Sequence, residues 1–318
     1  MVGKGALGES VAANENRMER PSLGVVIAAY NCEDTIAQTL TSIGDQAVDE
    51  IIVVDDGSTD RTAAAARAHP LAEVVSQGNA GPGAARNTGV GLSDSEWVVF
   101  LDADDLWFPW TVDSLCAAIE AAPGARFGLL QPAEFEGDLE TLPASEKFMT
   151  AVHDPACAAF AENDQMPFVG SGALVVRRDL FDEVGGFSND VRFAEDLDFI
   201  LRAARISPLW ILAQPLGFAY RRGDGGLTTD LAGAFRGIQF LLREHAAGAY
   251  GRDGQVDAAV SNFARPVAVA LARAGETKRC LALYRLLFPS ALKSLKLKFL
   301  AGLPAVALAA KLRRDGPD

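Results

Sequence analysis

The chain has 318 residues, 49% hydrophobic and 22% charged, which is typical of a globular protein with one large domain and an appended region. Its net charge of −13 argues against general nucleic-acid binding, because an acidic surface is repelled by the phosphate backbone. No apolar stretch reaches the roughly 18 residues of a membrane span, and residues 1–20 lack a secretory signal, so we expect a cytoplasmic protein with a disordered N-terminal tail.

Strand-like and helix-like patterns alternate along residues 23–130. Short runs of apolar and β-branched residues predict buried strands, and segments with capping residues or helical periodicity follow them. This alternation predicts the α/β class, with a largely parallel sheet and helices on both faces. The predicted strands cover residues 23–29, 50–54, 72–76, 97–101 and 127–135, and the predicted helices cover residues 35–43, 61–68, 83–90 and about 109–122.

The alternation weakens in the second half of the chain. Residues 136–168 contain several prolines and no clear period, which predicts an irregular segment that faces substrate. Residues 173–187 predict a strand, a short helix and a Gly-Gly turn, and residues 193–205 predict an amphipathic helix. From about Leu231 the pattern is helical to the end of the sequence.

Carboxylates follow two of the predicted strands at the point where each ends. The run VVFL leads into Asp102, Asp104 and Asp105, and the run IIVV leads into Asp55 and Asp56. Ligands of open α/β sheets bind outside the carboxyl ends of the strands, and hard divalent cations prefer clustered oxygen ligands. These acids therefore indicate a place where a metal could hold a phosphorylated substrate, although turn chemistry also favours Asp at strand ends.

Three other charged segments could belong to a functional site or could have an ordinary structural role. The glycine-rich loop around Arg86 suits anion binding, but it lacks the spacing of a dinucleotide fingerprint. Glu195 and Asp196 fall in the first turn of their predicted helix, where the helix dipole favours acids. The same dipole lowers a carboxylate pKa, which would weaken a general base. Arg221 and Arg222 could meet phosphates or form a solvated basic turn.

The order of these motifs resembles the family 2 inverting glycosyltransferases with the GT-A fold, of the non-processive bacterial type. The resemblance rests on VVIAAYN, IIVVDDGSTD, GNAGPGAARNTG, VVFLDADD, GALVVRRDLFDEVGGF, AEDLDF and YRRGDGGLT, within roughly residues 22–230. It implies a Rossmann-like nucleotide-diphospho-sugar transferase domain over residues 21–230 and a C-terminal helical extension over residues 231–318. The QxxRW signature of processive synthases is absent from the sequence, which points to transfer of a single sugar.

The resemblance also implies ligands and residue roles. The donor would be a nucleotide-sugar, in most cases a UDP-sugar, with Mn²⁺ or Mg²⁺ as cofactor. Asp102 and Asp104 match the DxD pair that contacts the ribose and the metal, while Asp196 matches the catalytic base and Glu195 its neighbour. The implied nucleotide-binding positions are Ala28, Tyr30, Asp56, Gly83, Arg86 and Asp102, and the positions implied for acceptor or phosphate are Asp198, Arg221 and Arg222.

The implied activity is hexosyl transfer to an acceptor hydroxyl in cell-envelope glycan, polysaccharide or glycolipid synthesis. Family members often carry a late histidine that is absent here, so a third metal ligand is unassigned and Asp224 is the candidate. An inactive nucleotide-sugar-binding module of the same fold is one alternative. A sugar-nucleotide pyrophosphorylase is another, but the residues after the first strand are AAYNCEDT, where that class has a GxGxR loop.

The C-terminal region differs in charge from the rest of the chain. Residues 270–318 carry a net charge of +7, against −20 for the remainder. Residues 282–318 mix leucines with lysines and arginines, which suits an interfacial helix on anionic lipid at the inner face of the cell membrane. Helices that pack on the catalytic domain, or on a second subunit of a homodimer, suit the pattern equally well. The sequence does not reveal which sugar is donated or which glycan or glycolipid is the acceptor.

Overall fold

A computed structural model of the chain describes residues 20–135, 147–161, 166–222, 230–293 and 302–303. The strands are β1 (Leu23–Ala29), β2 (Glu50–Asp55), β3 (Ala72–Ser76), β4 (Trp97–Asp102), β5 (Leu106–Trp107), β6 (Phe127–Leu130), β7 (Pro132–Phe135), β8 (Met149–His153), β9 (Leu174–Arg177), β10 (Leu209–Gln214) and β11 (Phe218–Arg221). The helices are α1 (Ile36–Ile43), α2 (Thr62–Arg67), α3 (Pro82–Leu92), α4 (Thr111–Ala121), α5 (Ala158–Ala161), α6 (Arg178–Val184), α7 (Glu195–Ala203), α8 (Leu231–Ala247), α9 (Gly254–Arg273) and α10 (Thr277–Lys293).

An eight-stranded sheet forms the centre of the protein, in the order β3-β2-β1-β4-β9-β6-β10-β8. The strands β1 to β4 pair in parallel, as do β6 and β10, whereas β9 and β8 run antiparallel to their neighbours. A smaller sheet has the order β5-β11-β7. The predicted α/β fold, with a mostly parallel sheet and flanking helices, is confirmed.

The inner strands are buried on both faces, which explains their continuous apolar sequences. Val25, Val26 and Ile27 of β1 have no exposed surface. Between β6 and β10 the fit is close: a Cβ atom on Gly128 would lie 2.1 Å from the Trp210 ring. Only glycine therefore leaves room for this indole, which is itself fully buried.

The prediction of an irregular segment over residues 136–168 is wrong in part. Strand β8 pairs antiparallel with β10 at the edge of the large sheet, and the short helix α5 follows it. The side chains of β8 are exposed or half-buried along its whole length. An edge strand of this kind does not need the apolar alternation by which strands are recognised in a sequence.

The C-terminal helices pack on the α/β core. Their buried residues belong to the same apolar cluster as the sheet, among them Leu241, Leu271 and Leu283. The Asn262 side-chain amide of α9 donates to the Phe160 carbonyl of α5 at 2.6 Å. Across the described ranges, no helix is long and apolar enough to cross a membrane. The predicted N-terminal tail, except residue 20, and most of the predicted membrane-contacting segment lie outside the described residues.

Candidate active site

The acidic strand ends meet at one edge of the large sheet. Strand β1 lies between β2 and β4, and its register pairs Ala29 with Asp55 and Ala28 with Asp102. Asp56 follows β2, and its backbone N–H donates to the Ala29 carbonyl at 2.8 Å. Parallel strands end at the same edge of a sheet, so the structure brings these predicted positions to the rim where ligands of such sheets bind.

Asp56 holds the glycine-rich loop against this rim. Its buried carboxylate accepts hydrogen bonds from the backbone N–H groups of Ala80 at 2.9 Å and Gly81 at 2.8 Å. The Gln77 side-chain amide donates to it at 2.8 Å. Gly81 has a φ of +98°, a backbone conformation that favours glycine. Asp56 therefore shapes the cleft, and its contact with a nucleotide base stays a prediction.

Tyr30 follows β1 at the same rim, and 52% of its surface is exposed. The next residue, Asn31, has a φ of +50°, which asparagine tolerates better than most residues. Its backbone N–H donates to Ser58 Oγ at 2.9 Å, and its side-chain oxygen accepts from the Thr59 N–H at 2.8 Å. These bonds join the ends of β1 and β2 and leave the Tyr30 ring free to cover a flat ligand.

The three carboxylates after β4 differ in exposure. Asp102 is half-buried and Asp104 is exposed, whereas Asp105 is only 1% exposed. Burial, followed by the charge of Asp102, raises the pKa of Asp105 to about 8. Partial desolvation of the carboxyl group, followed by the charge of Asp102, also raises the pKa of Asp104, although its side chain reaches solvent. The Arg221 backbone N–H donates to Asp105 Oδ1 at 2.9 Å, but Asp105 Oδ2 has no hydrogen-bond partner among the described residues.

A turn before β9 closes over these carboxylates. A Cβ atom on Gly172 would lie 3.0 Å from Asp102 Oδ2 and 3.3 Å from Asp105 Oδ2. Ser171 Oγ donates to Asp102 Oδ1 at 3.3 Å. Ser171 and Gly172 were not predicted as site residues, because SGAL carries no charge and its pattern indicates only the beginning of a strand.

The carboxylates after β4 have the chemistry of a site for a hard divalent cation. Asp102 Oδ2 and the unpartnered Asp105 Oδ2 both approach Gly172, so they converge on one place, and Asp104 is exposed beside them. In the described ranges no three His, Cys, Asp or Glu side chains form a full ligand set. Such a cation would therefore take its other ligands from phosphate and water, as Mg²⁺ commonly does. The candidate third ligand Asp224 lies outside the described residues.

The two predicted phosphate-binding arginines lie in different surroundings. Arg221 Nε donates to the Asp104 carbonyl at 2.9 Å, and its guanidinium lies 4.8 Å from the centre of the Phe135 ring. Arg221 is therefore held beside the carboxylates. Arg222 instead forms an ion pair with Glu134 on the protein surface, which leaves Arg221 as the better-placed cation.

Arg86 connects the end of β4 to the beginning of α7. Its Nη2 donates to Asp102 Oδ1 and its Nη1 donates to Glu195 Oε1, both at 2.9 Å. The guanidinium is buried, 5.7 Å from the centre of the Phe187 ring. The resemblance implies that this arginine lies beside the nucleotide. In the structure both of its terminal nitrogens are engaged by protein carboxylates, so Arg86 fixes two parts of the site relative to each other.

Gly83 supports the same junction. A Cβ atom at this position would lie 3.2 Å from Phe187 Cβ and 3.3 Å from Glu195 Cγ. The predicted nucleotide-binding Gly83 lies in the first turn of α3 and is buried against these side chains. Its place in the structure explains why a residue without a side chain is needed there.

Glu195 and Asp196 lie in the first turn of α7, as predicted, but their pKa values move against the expected direction. Burial, followed by the charge of Asp196, raises the pKa of Glu195 to about 7, although Arg86 opposes this. Burial is also the largest cause that raises the pKa of Asp196. The helix dipole was expected to lower both pKa values. Desolvation, which disfavours the charged form, has the larger effect and raises them. Both carboxylates become better proton acceptors.

Asp198 points into the protein, away from the role that the resemblance implies. Its Oδ1 accepts from the Tyr250 hydroxyl at 2.7 Å, and its Oδ2 accepts from Arg202 Nη2 at 2.6 Å. Arg202 also donates to the Gly186 carbonyl at 2.8 Å. With both oxygens engaged and only 2% of the residue exposed, Asp198 anchors α7 to the turn between α8 and α9. Tyr250 was not predicted, because nothing in the local sequence indicates its partner.

A mostly parallel sheet whose acidic rim faces two carboxylates at a helix start is the architecture of a glycosyltransferase with the GT-A fold. Residues 24–185 match the family model "Glycosyl transferase family 2". This match covers half of the chain, and the protein belongs to that family.

Two of the relatives of this chain are named as a glycosyltransferase and as a succinoglycan biosynthesis protein. The chain is 25% identical over 234 residues to an uncharacterized glycosyltransferase of Haemophilus influenzae, a match that covers 70% of this chain and 76% of the relative. It is 28% identical over 206 residues to the succinoglycan biosynthesis protein ExoU of Rhizobium meliloti, covering 61% of this chain and 60% of that protein.

Two solved structures share the fold. The mannosyltransferase PcManGT of Pyrobaculum calidifontis, in complex with GDP-Man and Mn²⁺, superposes with a TM-score of 0.58 at 21% identity, covering 92% of this chain and 87% of that one. Residues 1–349 of S. aureus TarS, in complex with UDP-GlcNAc, superpose with a TM-score of 0.55 at 17% identity, covering 93% and 92%.

Proposed function

We propose that this glycosyltransferase moves one sugar from a nucleotide-diphosphate sugar, in the first place a UDP-sugar, to an acceptor hydroxyl with inversion at the anomeric carbon. The observation that carries the proposal is the buried Arg86, which donates at 2.9 Å both to Asp102 at the end of β4 and to Glu195 at the start of α7. The Arg86 guanidinium thereby joins the rim proposed to bind the donor to the carboxylates at the start of α7.

Asp196 is the proposed general base. Its pKa is raised by burial, which suits a carboxylate that must take a proton from an alcohol. The acceptor hydroxyl gives its proton to Asp196 as its oxygen attacks the anomeric carbon. The bond between that carbon and the diphosphate oxygen breaks, and its electron pair leaves with the nucleoside diphosphate. A single displacement of this kind inverts the configuration.

The rim residues hold the donor. Tyr30, which is exposed, would cover the nucleotide base, and Asp56 would accept a hydrogen bond from it. Asp102 and Asp104 would hold a Mn²⁺ or Mg²⁺ ion, which when bound offsets the negative charge that develops on the diphosphate. Arg221, fixed at 2.9 Å from the Asp104 carbonyl, brings a permanent positive charge to the same side. PcManGT, in complex with Mn²⁺ and GDP-Man, supports the choice of cofactor.

The acceptor class rests on relatives. The similarity to a succinoglycan biosynthesis protein, and to the amylovoran biosynthesis glycosyltransferase AmsB of Erwinia amylovora, supports a role in cell-envelope polysaccharide synthesis. TarS in complex with UDP-GlcNAc supports a UDP-sugar as donor.

Donor binding is tested by calorimetric titration with UDP, GDP and CMP, each in the presence of Mn²⁺ and of EDTA. We expect UDP to bind with Mn²⁺, and we expect the affinity to fall at least about tenfold in Asp104→Asn. Asp94→Asn is the matched control, because Asp94 is an exposed acid elsewhere on the surface. Absence of binding by every nucleotide, or equal binding by Asp104→Asn, contradicts the donor-site assignment.

The alternative of an inactive binding module makes a different prediction. Such a module would bind the nucleotide as above but would not release UDP from a UDP-sugar over time. The two carboxylates at the start of α7, joined to the rim through Arg86, support the enzyme. Incubation with UDP-sugars in the absence of acceptor separates the two. The enzyme should slowly hydrolyse the donor and release UDP, whereas the module should release none.

A further inference from the structure

An open cavity of about 590 Å³ lies between the segment that leads into α7 and one face of α8. The segment contributes Asp190, Arg192 and Phe193. The helix contributes Arg236, Gln239, Phe240 and Arg243, which recur at helical spacing along one side. Nothing in the proposed donor site uses this cavity.

The cavity is lined by the segment that leads into the proposed base. Two glycines let the backbone of α8 approach Phe193, which precedes Asp196 by three positions. A Cβ atom on Gly233 would lie 2.3 Å from Phe193 Cε2, and one on Gly237 would lie 2.4 Å from the Phe193 carbonyl oxygen. This contact fixes α8, and with it the cavity wall, against the residues that lead into the base.

The other side of the segment reaches the donor rim. Arg192 Nη1 donates to Asn79 Oδ1 at 3.1 Å, and the Arg192 side chain packs against Gly81. Both positions belong to the glycine-rich loop that Asp56 holds. The segment that lines the cavity therefore contacts the glycine-rich loop and continues into the proposed base.

The ionisable groups of the lining are three arginines and one acid, in a protein whose net charge is −13. The Arg236 side chain is 67% exposed with Asp230 at 3.9 Å, and the Arg243 side chain is 68% exposed with Glu244 at 3.1 Å. Exposed ion pairs of this kind contribute little, so both guanidinium groups can turn to an incoming anion. Arginine binds carboxylate and phosphate with two parallel hydrogen bonds.

The same wall carries aromatic surface. The Phe193 and Phe240 side chains are half-buried, and the Arg243 guanidinium lies 5.2 Å from the centre of the Phe240 ring. Apolar and aromatic surface with a few directed polar groups is the usual composition of a small-molecule site. Here it offers apolar surface for a glycan beside cations for an acidic substituent.

We propose that this cavity, here called the arginine cavity, binds an acidic group, carboxylate or phosphate, of the acceptor glycan while the reacting hydroxyl lies at Asp196. The inference rests on the proposed function and adds the chemical class of the acceptor. It assigns Arg236 and Arg243 to acceptor specificity and gives them no part in donor binding.

The test measures binding of defined probes to the full chain by calorimetry, without donor. Hexagalacturonate is the carboxylate probe, inorganic pyrophosphate the phosphate probe and maltohexaose the neutral control. We expect at least one anionic probe to bind and maltohexaose not to bind. In Arg236→Gln/Arg243→Gln the affinity should fall at least about tenfold, because two charge-assisted contacts are lost. Raising NaCl from about 50 to 300 mM should weaken binding to the wild type.

The matched control is Arg67→Gln/Arg273→Gln, which removes the same charge at exposed positions outside the cavity. This variant should bind the anionic probes like the wild type. Equal loss in both double variants, equal binding of maltohexaose, or no binding of either anionic probe overturns the proposal. UDP titration with Mn²⁺ distinguishes the two proposals. Unchanged UDP binding together with lost probe binding in Arg236→Gln/Arg243→Gln supports the arginine cavity. Absence of UDP binding in the wild type contradicts the donor site alone.

Discussion

Replacing Arg86 by methionine removes the cation that links Asp102 to Glu195 and changes the side-chain volume little. Arg86 and Glu195 are both buried, and the guanidinium donates at 2.9 Å to each carboxylate. Breaking a buried ion pair by removing one partner costs about 3–5 kcal/mol, because the remaining charge is left desolvated. We expect Arg86→Met to lower the free energy of unfolding by this amount at about pH 8.

The loss should depend on pH, because Glu195 can take up a proton. Its pKa is raised from 4.5 to about 7, so between these values the folded protein holds more of this proton than the unfolded chain does. The contribution of Glu195 to stability therefore falls as pH rises through that window. Arg86 lowers the pKa of Glu195. Without Arg86, the fall in the free energy of unfolding therefore continues to higher pH. The loss in Arg86→Met should be smaller at about pH 5.5 than at pH 8, by at least about 1 kcal/mol.

The assay is urea unfolding followed by circular dichroism at the two pH values. Arg61→Met is the control, since Arg61 pairs with Glu33 at 3.0 Å but its side chain is 87% exposed, and it should cost less than about 1 kcal/mol. The double variant Arg86→Met/Glu195→Gln should recover at least about 1 kcal/mol of the loss, because no buried charge then remains at Glu195. A loss in Arg86→Met no larger than in Arg61→Met, or one that is the same at both pH values, refutes the reasoning.

Three further predictions concern the base, the helix contact and the sheet. Asp196→Asn should slow donor turnover by about 10²–10⁴-fold, measured as UDP release, and leave calorimetric UDP affinity within about twofold. Tyr250→Phe removes the hydroxyl 2.7 Å from the buried Asp198 and should lower the free energy of unfolding in urea by about 1–3 kcal/mol. Gly128→Ala, with its Cβ 2.1 Å from the Trp210 ring, should cost about 1–3 kcal/mol in the same assay.

Each of these variants has a matched control. Asp182→Asn changes an exposed acid of α6 and should leave turnover unchanged, so equal slowing in both would argue against Asp196 as base. Tyr30→Phe alters an exposed hydroxyl and should leave stability unchanged, in contrast to Tyr250→Phe. Gly124→Ala has no heavy atom within 4 Å of the added Cβ, and a cost as large as that of Gly128→Ala would contradict the steric argument.

Local sequence predicts most of the sheet because burial on both faces demands continuous apolar runs. The run at residues 23–29 predicts β1 to the residue, and that at 72–76 does so for β3. The edge strand β8 was missed because its side chains are exposed or half-buried and carry no such pattern. Strand β3, at the opposite edge, is also exposed or half-buried, and it was predicted because Val74 and Val75 form a β-branched pair rather than because it is buried.

The sequence by itself determined the family, the order of the strands along the chain and the acids that end β2 and β4, because these depend on short motifs and local periodicity. Only the tertiary structure decided what those acids meet. Arg86 donates to Glu195, which is 109 positions away in the sequence, and Asp198 accepts a hydrogen bond from Tyr250 in the protein interior. The direction of the Glu195 pKa also depends on burial by distant segments, which outweighs the helix dipole that the sequence reveals.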